Sequence, residues 1–351
     1  MTATVAKRPA RRLPADFWKN VLIWAGVILV PILAFGIFLQ CQGVSAIQTY
    51  RSMITSTLGT SYGIGEVIVK STPLVLIAVA TAVSAKAGLV NVGGEGQFAM
   101  GALAAAAAGM LFLQDAPAWV GIPAMALCGM TGGMVWSGFA GVLKVKANMN
   151  ETITTLILNY IAVQVVGYFV FGALKDPDSF NWPQTAKIAS QLRLPRLPGS
   201  KVSIAVFFAV GLAVIIWLVL KKTKWGYKLR VIGGNPIAAA QAGYHVAKNQ
   251  LAAMLLSGAL AGFAGMLEIS GVEYQMRQTT GVNYGYLGFL ASWMAWNNPL
   301  LGIVTAFIIG FLSVAGNTME ITSGLPSSSI RILMSLVLLA ILWKGRRKKA
   351  C

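Results

Sequence analysis

The chain has 351 residues, 56% of them hydrophobic and only 11% charged, with a mean hydropathy of +0.70. A soluble domain carries roughly 25% charged residues, so an ordinary water-soluble enzyme or binding module is excluded and the bilayer is the natural solvent. The net charge of +18 does not signal a nucleic-acid partner, because the basic residues sit in short loops and tails rather than on a broad exposed face.

Residues 1–19 form a basic tail with Lys7, Arg8, Arg11, Arg12 and Lys19, and residues 345–351 form a second with Arg346, Arg347, Lys348 and Lys349. Between them, 20–344 reads as one transmembrane domain. The first apolar stretch, Val21 to Leu39, is too long for a signal-peptide core and has no small-residue cleavage site, so it is expected to stay as an anchor. Residues 40–71 are rich in Ser, Thr and Gly and read as a short re-entrant or interfacial helix. Apolar runs then follow near 72–88, 95–113, 119–143, 151–174, 202–220, 250–270, 285–297, 299–316 and 328–344, which with the first makes about ten candidate spans, most of them near the length a bilayer requires.

An even count places both termini on one side, and the basic tails name that side as cytoplasmic. Lys144, Lys146 and the cluster Lys221, Lys222, Lys224, Lys228 and Arg230 then also fall inside. Lys175, Lys187, Arg193, Arg196 and Lys201 dissent, all in one proline-bearing outer loop. The runs 285–297 and 299–316 are short and meet at Asn297-Asn298-Pro299, which suggests two half-helices. Three G-x-x-x-G spacings, Gly129/Gly133, Gly258/Gly262 and Gly281/Gly285, are expected to let helix backbones approach closely.

Polar groups inside a bilayer are costly and mark candidate sites. Asn91-Val92-Gly93-Gly94-Glu95-Gly96-Gln97 crowds three glycines among an Asn, a Glu and a Gln. Two readings stand: an unwound, solute-binding break inside the membrane, or a tight cytoplasmic turn with Glu95 capping the next helix. Glu151, Thr155 and Asn159 recur every four residues beside Tyr160 and would share one helix face. Glu151 is open to a simpler reading as a charge favoured by the helix dipole; Asn159 lies too deep for that. Glu268, with Glu273, Tyr274 and Arg277 beyond it, is either a lip of a transport path or an interfacial charge cluster.

Absences narrow the class. Cys41, Cys128 and Cys351 are far apart, and His245 is the single histidine, so neither a disulfide framework, a metal site nor a histidine-based catalytic triad is indicated. No G-x-x-x-x-G-K-[ST] phosphate loop occurs, so the chain is not expected to hydrolyse ATP.

Four segments together resemble the permease subunits of ATP-binding-cassette importers, in the branch that includes ribose, branched-chain amino acid and nucleoside permeases. They are Asn91 to Gln97; Asn150-Glu151 through Leu158-Asn159-Tyr160; Gly234-Asn235-Pro236 with Ala238, Ala239, Ala242 and Gly243; and Ser257 to Gly262 with Gly265 and Glu268. N-x-G-x-E-G-Q together with L-N-Y is most similar to the nucleoside-type permeases. The resemblance implies an inner-membrane importer subunit with no cofactor of its own, ATP and magnesium being held by a cytoplasmic partner ATPase. It also implies a second permease subunit, in a heterodimer, and an extracytoplasmic binding protein of the lipoprotein kind. The loop 221–248 would be the segment that couples to the ATPase, and Pro236 after Asn235 suits the start of a short surface helix there. Substrate-path candidates are Asn91, Glu95, Gln97, Glu151, Thr155, Asn159 and Glu268. Simple sugars and branched-chain amino acids are the alternative cargoes, and an ion-coupled carrier is the alternative of another class.

Overall fold

The computed structural model describes residues 15–180 and 182–349. The basic residues expected in the tail before residue 15, and Cys351, lie outside the described residues. What is described is nearly all helix: α1 Ala15–Cys41, α2 Ala46–Leu58, α3 Ser61–Lys86, α4 Gly94–Leu111, α5 Ala118–Ala147, α6 Glu151–Phe171, α7 Ala205–Lys222, α8 Lys224–Gly234, α9 Pro236–Gln241, α10 Val246–Glu268, α11 Tyr284–Met294, α12 Pro299–Ser323 and α13 Ile330–Lys349. A single π-turn, Ile269–Glu273, extends α10.

A helix lies over each apolar run anticipated from the sequence. Six described helices are long and apolar enough to cross a membrane by themselves, and a seventh span results if the pair Leu29–Cys41 and Ala46–Leu58, bent by 115°, is counted as one. α4 is not among the six; it carries Glu95 and Gln97 in its first turn. The 40–71 region does hold a helix, α2, but α3 begins at Ser61, eleven residues before the apolar run starts. Only one of the two suspected half-helices is short. α11 has 11 residues, whereas α12 continues to Ser323 over 25, because Thr318 and Thr322 bond back to Val314 and Thr318 carbonyls and so carry their hydroxyls within the helix.

α3, α4 and α10 form the interior, and α5 packs closely on α4 and α10 with its other face exposed. Gly129 and Gly133 of α5 face Gly258 and Gly262 of α10, and Gly101 of α4 packs on Gly262, so two of the three glycine pairs act as expected. The third does so only through Gly285, which packs on the Gly94 and Glu95 backbone; Gly281 precedes α11 in a loop and lies under the Phe98 ring. A Cβ on Gly262 would meet the Gly129 carbonyl and the Gly133 backbone, neither of which can swing aside. Gly262→Leu is therefore expected to cost more than the ~1–3 kcal/mol of ordinary overpacking and to eliminate folded protein on size exclusion. Gly211→Ala, which meets nothing within 4 Å, should leave the melting temperature within a degree or two.

Three of the dissenting basic residues of the 172–204 loop, Arg193, Arg196 and Lys201, have local partners. Leu194 N donates to Ser270 O at 2.8 Å and Ile188 N to Tyr274 O at 2.8 Å, seating the loop on the π-turn. Arg193 and Arg196 stack on Tyr274 at 4.9 and 5.5 Å from its ring centre. Lys201 reaches Tyr62 at 2.5 Å and Glu66 at 3.0 Å, which raises its pKa, the hydroxyl first and the carboxylate second. The lysine's contribution to the link is thus fully present below the ordinary lysine value of about 10.4 and is lost as pH rises through the still higher folded value.

Candidate functional site

α3 ends at Lys86 with Ala87 as its C-cap, and Gly88 follows at a φ of +78°, the left-handed conformation common just past a helix end. The chain then runs without helix to Gly93, the N-cap of α4. This turn is largely buried, with Asn91 2% exposed, and a buried turn must have its polar groups satisfied by the protein. Asn91 Nδ2 donates to Ser257 Oγ of α10 at 2.9 Å and to Gln97 Oε1 at 3.2 Å, while its Oδ1 accepts from Gly93 N and Gln97 Nε2 at 2.9 and 3.0 Å. The side chain thus ties turn, α4 and α10 together.

The Glu151, Thr155, Asn159 stripe lies along α6 on one face, as its spacing predicts, and that face is pressed on the same turn. Glu151 Oε1 accepts from Val90 N at 3.4 Å, Thr155 Oγ1 from Val92 N at 3.3 Å, and Asn159 Oδ1 from Gly96 N at 2.9 Å. Asn159 Nδ2 donates to Val92 O at 3.0 Å and to the Tyr286 hydroxyl at 3.3 Å. Glu151 also pairs with Lys144 of α5 at 2.9 Å. The N-cap of α6 is Asn150, which accepts from Thr152 N and Ile153 N, so Glu151 acts by bridging α5, α6 and the turn more than by its place at the helix start.

Glu95 does cap a helix, but not its own. Its two carboxylate oxygens accept from Asn283 N at 2.6 Å and Gly285 N at 2.7 Å, the first amides of α11. The N-cap of α4, Gly93, makes no side-chain cap bond. Gly285 has no room for a side chain, because a Cβ there would press on Glu95 backbone. A small cavity of about 10 Å³, lined by Glu95, Phe98, Val163, Gln278 and Thr280 among others, adjoins this cap and holds at most about one water.

Glu268 is not part of this group. Buried at the end of α10, it accepts from the Tyr284 hydroxyl at 3.4 Å, and Lys70 of α3 donates to the same hydroxyl at 2.8 Å. Its Oε2 has no hydrogen-bond partner. Of the seven path candidates, six therefore converge around one turn and one stands apart in a Lys-Tyr-Glu chain.

The loop 221–248 divides into two helices. α9 begins with Pro236 in its first turn, and Asn235 accepts from Ile237 N and Ala238 N as its N-cap at 3.0 and 3.1 Å. Ile237 and Ala238 are exposed, Ala239 is buried, and Gly243 closes the segment at φ +82°. Gly233, at the end of α8, packs directly on Gly88 and Lys86 O.

The opposite face of α6 carries Tyr160 together with two residues that no motif points to, Gln164 and Tyr168. Tyr160 is 66% exposed, Tyr168 75%, and Gln164 between them is exposed as well. They recur every four residues, the same spacing as the buried stripe, and that continued period is the signal by which Gln164 and Tyr168 are found. Gln164 stands 13 residues into the span, roughly 20 Å along the axis, where an amide facing lipid would be costly.

Comparison with known proteins bears on this arrangement. Residues 63–342 match the family described as branched-chain amino acid transport system / permease component. The guanosine ABC transporter permease protein NupP of Bacillus subtilis is 30% identical over 92% of this chain and 93% of its own length. The glucose ABC transporter permease protein TsgB13 of Haloferax volcanii is 29% identical over 95% and 90%, and the nucleoside ABC transporter permease protein NupB of Lactococcus lactis 26% over 90% and 90%.

Proposed function

We propose nucleosides as the cargo of this chain, which belongs to the branched-chain amino acid transport system permease family. It is a multi-pass membrane subunit of an ATP-binding-cassette importer, a transport subunit and not an enzyme, and the system to which such a permease belongs includes an ATPase and a substrate-binding protein. ATP is hydrolysed on the ATPase, with both termini of this chain and α9 on its side of the membrane. A second, related permease and a lipoprotein binding protein complete the assembly.

The observation that carries the cargo reading is the Tyr160, Gln164, Tyr168 stripe. Phenol rings offer π-faces on which a nucleobase stacks, and an amide offers both a donor and an acceptor to the base edge. The stripe is open in this chain alone and would be walled off from lipid by the second permease, so that the path would run at the boundary between the two. Behind it, Asn91, Gln97, Thr155 and Asn159 hold the 88–97 turn in register, and Tyr286 links Asn159 to the open side. ATPase closure would then move the turn and expose the stripe alternately to each side.

In proteoliposomes holding the full complex, Tyr160→Ala combined with Gln164→Ala is expected to raise the half-saturating guanosine concentration by about tenfold or more, since stacking on one aromatic is worth roughly 1–3 kcal/mol. Tyr160→Phe should retain most of the affinity. An unchanged half-saturation in a correctly assembled complex would remove the stripe from the path. A second reading, a hexose, draws on the glucose permease relative; uptake of labelled glucose and none of guanosine by the unaltered complex would replace the first reading with it.

A further inference from the structure

We propose that the basic cavity between the end of α7 and the start of α8 binds the headgroup of an anionic phospholipid. The proposal rests on the cytoplasmic placement of this end of α7 given above. The cavity has a volume of about 410 Å³ and is lined by Lys221, Lys222, Lys224, Lys228 and Arg230 with hydroxyls from Thr223, Tyr227 and Tyr244. None of the lining residues is acidic, and no described carboxylate forms an ion pair with any of the five cations. Lys221 lies over the Trp217 ring at 4.6 Å, and Arg230 donates to the Leu220 carbonyl. Neither contact neutralises charge, so five converging positive groups are left for a ligand outside the chain.

The direction of α7 identifies that ligand. Val214, Leu218 and Lys222 recur every four residues, and all three are exposed. The apolar stripe that faces lipid along the span therefore runs straight up to the cationic cavity, with Ile215 beside it, also exposed. A phospholipid fits both parts at once: acyl chains against Val214, Ile215 and Leu218, phosphate among the lysines. α9, which carries the segment proposed to meet the ATPase, presents Ile237, Ala238 and Ala240 instead and has no such charge, so the two halves of the 221–248 loop serve different partners. Each basic residue near an anionic membrane surface attracts it appreciably, and three of them together correspond to a preference on the order of a hundredfold.

The test is native mass spectrometry of the full complex, exchanged into micelles containing equal phosphatidylglycerol and phosphatidylcholine. The unaltered protein should retain phosphatidylglycerol over phosphatidylcholine; Lys222→Gln, Lys224→Gln and Lys228→Gln combined should lower that preference by at least tenfold, and the three Lys→Arg changes should keep it. Inorganic phosphate added at millimolar concentration should not displace the lipid. Equal retention of the two lipids by the unaltered protein, or the same preference in the Gln variant, overturns the proposal. Displacement by phosphate would make the cavity an oxyanion site, and loss of the ATPase from the Gln variant with lipid retained would make it part of the ATPase interface; either also overturns it. The readout is bound lipid, so a wrong cargo assignment leaves the result unaffected.

Discussion

Glu95→Ala is expected to abolish uptake and to lower the stability of the chain by about 3 kcal/mol or more, since two hydrogen bonds to a charged group, each contributing roughly 1.5–3 kcal/mol, are lost at once. The first amides of any helix lack partners within it, and α11 gains no help from its own N-cap residue, since Asn283 makes no side-chain cap bond. Glu95 supplies the missing acceptors from α4, at 2.6 and 2.7 Å, and its negative charge sits where the dipole of α11 is positive. Removing it leaves Asn283 N and Gly285 N without acceptors and frees an 11-residue helix that is otherwise fixed by packing on α3, α4 and α12. Glu95→Gln keeps the shape but offers one acceptor in place of two, so it should fall between the unaltered protein and the Ala variant. Thermal melting of the purified complex and uptake in proteoliposomes measure the two effects separately. An Ala variant with an unaltered melting temperature and uptake would show that α11 is held without this carboxylate.

That cap also marks how far the sequence could be read. The apolar runs were legible because a bilayer demands about 20 apolar residues in succession, and α5, α6, α7 and α10 follow from them directly. The polar stripe on α6 was legible because its period of four is a helix property. Its partner was not: Thr155 and Val92 are separated by 63 positions, and Glu95 lies 188 positions from Asn283, distances across which no local pattern carries information. For the same reason Glu95 was open to being read as a cap of α4, the helix in which it stands. The α2 region resisted reading on different grounds. Thr49 and Thr55 hand their hydroxyl protons to the Ser45 and Arg51 carbonyls four residues back, both at 2.9 Å, so a polar sequence there is still a helix with its side chains satisfied internally. Glu268 reads from the sequence, with Glu273, Tyr274 and Arg277, as a lip of the path or an interfacial charge cluster; the fold buries it against the Tyr284 hydroxyl, which Lys70 also reaches.

The contact between Gly233 and Gly88 joins the end of α8, next to the α9 segment proposed to meet the ATPase, to the 88–97 turn. α8 ends two residues before Pro236 opens α9, and Gly88 begins the turn that carries Asn91 three residues later. A Cβ on Gly233 would lie 2.5 Å from Lys86 O and 3.0 Å from Gly88 N, inside contact distance of backbone that cannot rotate away. Gln250 Nε2 donates to Ala87 O at 3.3 Å from α10, bracing the turn from the other side. If the ATPase moves α9, as proposed above, the movement would reach the turn through a rigid backbone contact, and the Asn91, Ser257 and Asn159 bonds would carry it onward to α10 and α6. A contact of this kind has two properties that can be separated. Gly233→Val must push α8 away from the turn, yet it leaves the exposed face of α9, with Ile237 and Ala238, unaltered. The expected result is an ATPase that still co-purifies with the complex and still hydrolyses ATP, with uptake per ATP reduced tenfold or more. Gly234→Ala, one residue on and with nothing within 4 Å of its Cβ, should preserve both. If Gly233→Val transports as well as the unaltered protein, the signal from the ATPase does not pass through the turn. If it loses the ATPase altogether, α8 belongs to the docking surface, and the division of labour between α8 and α9 would have to be redrawn.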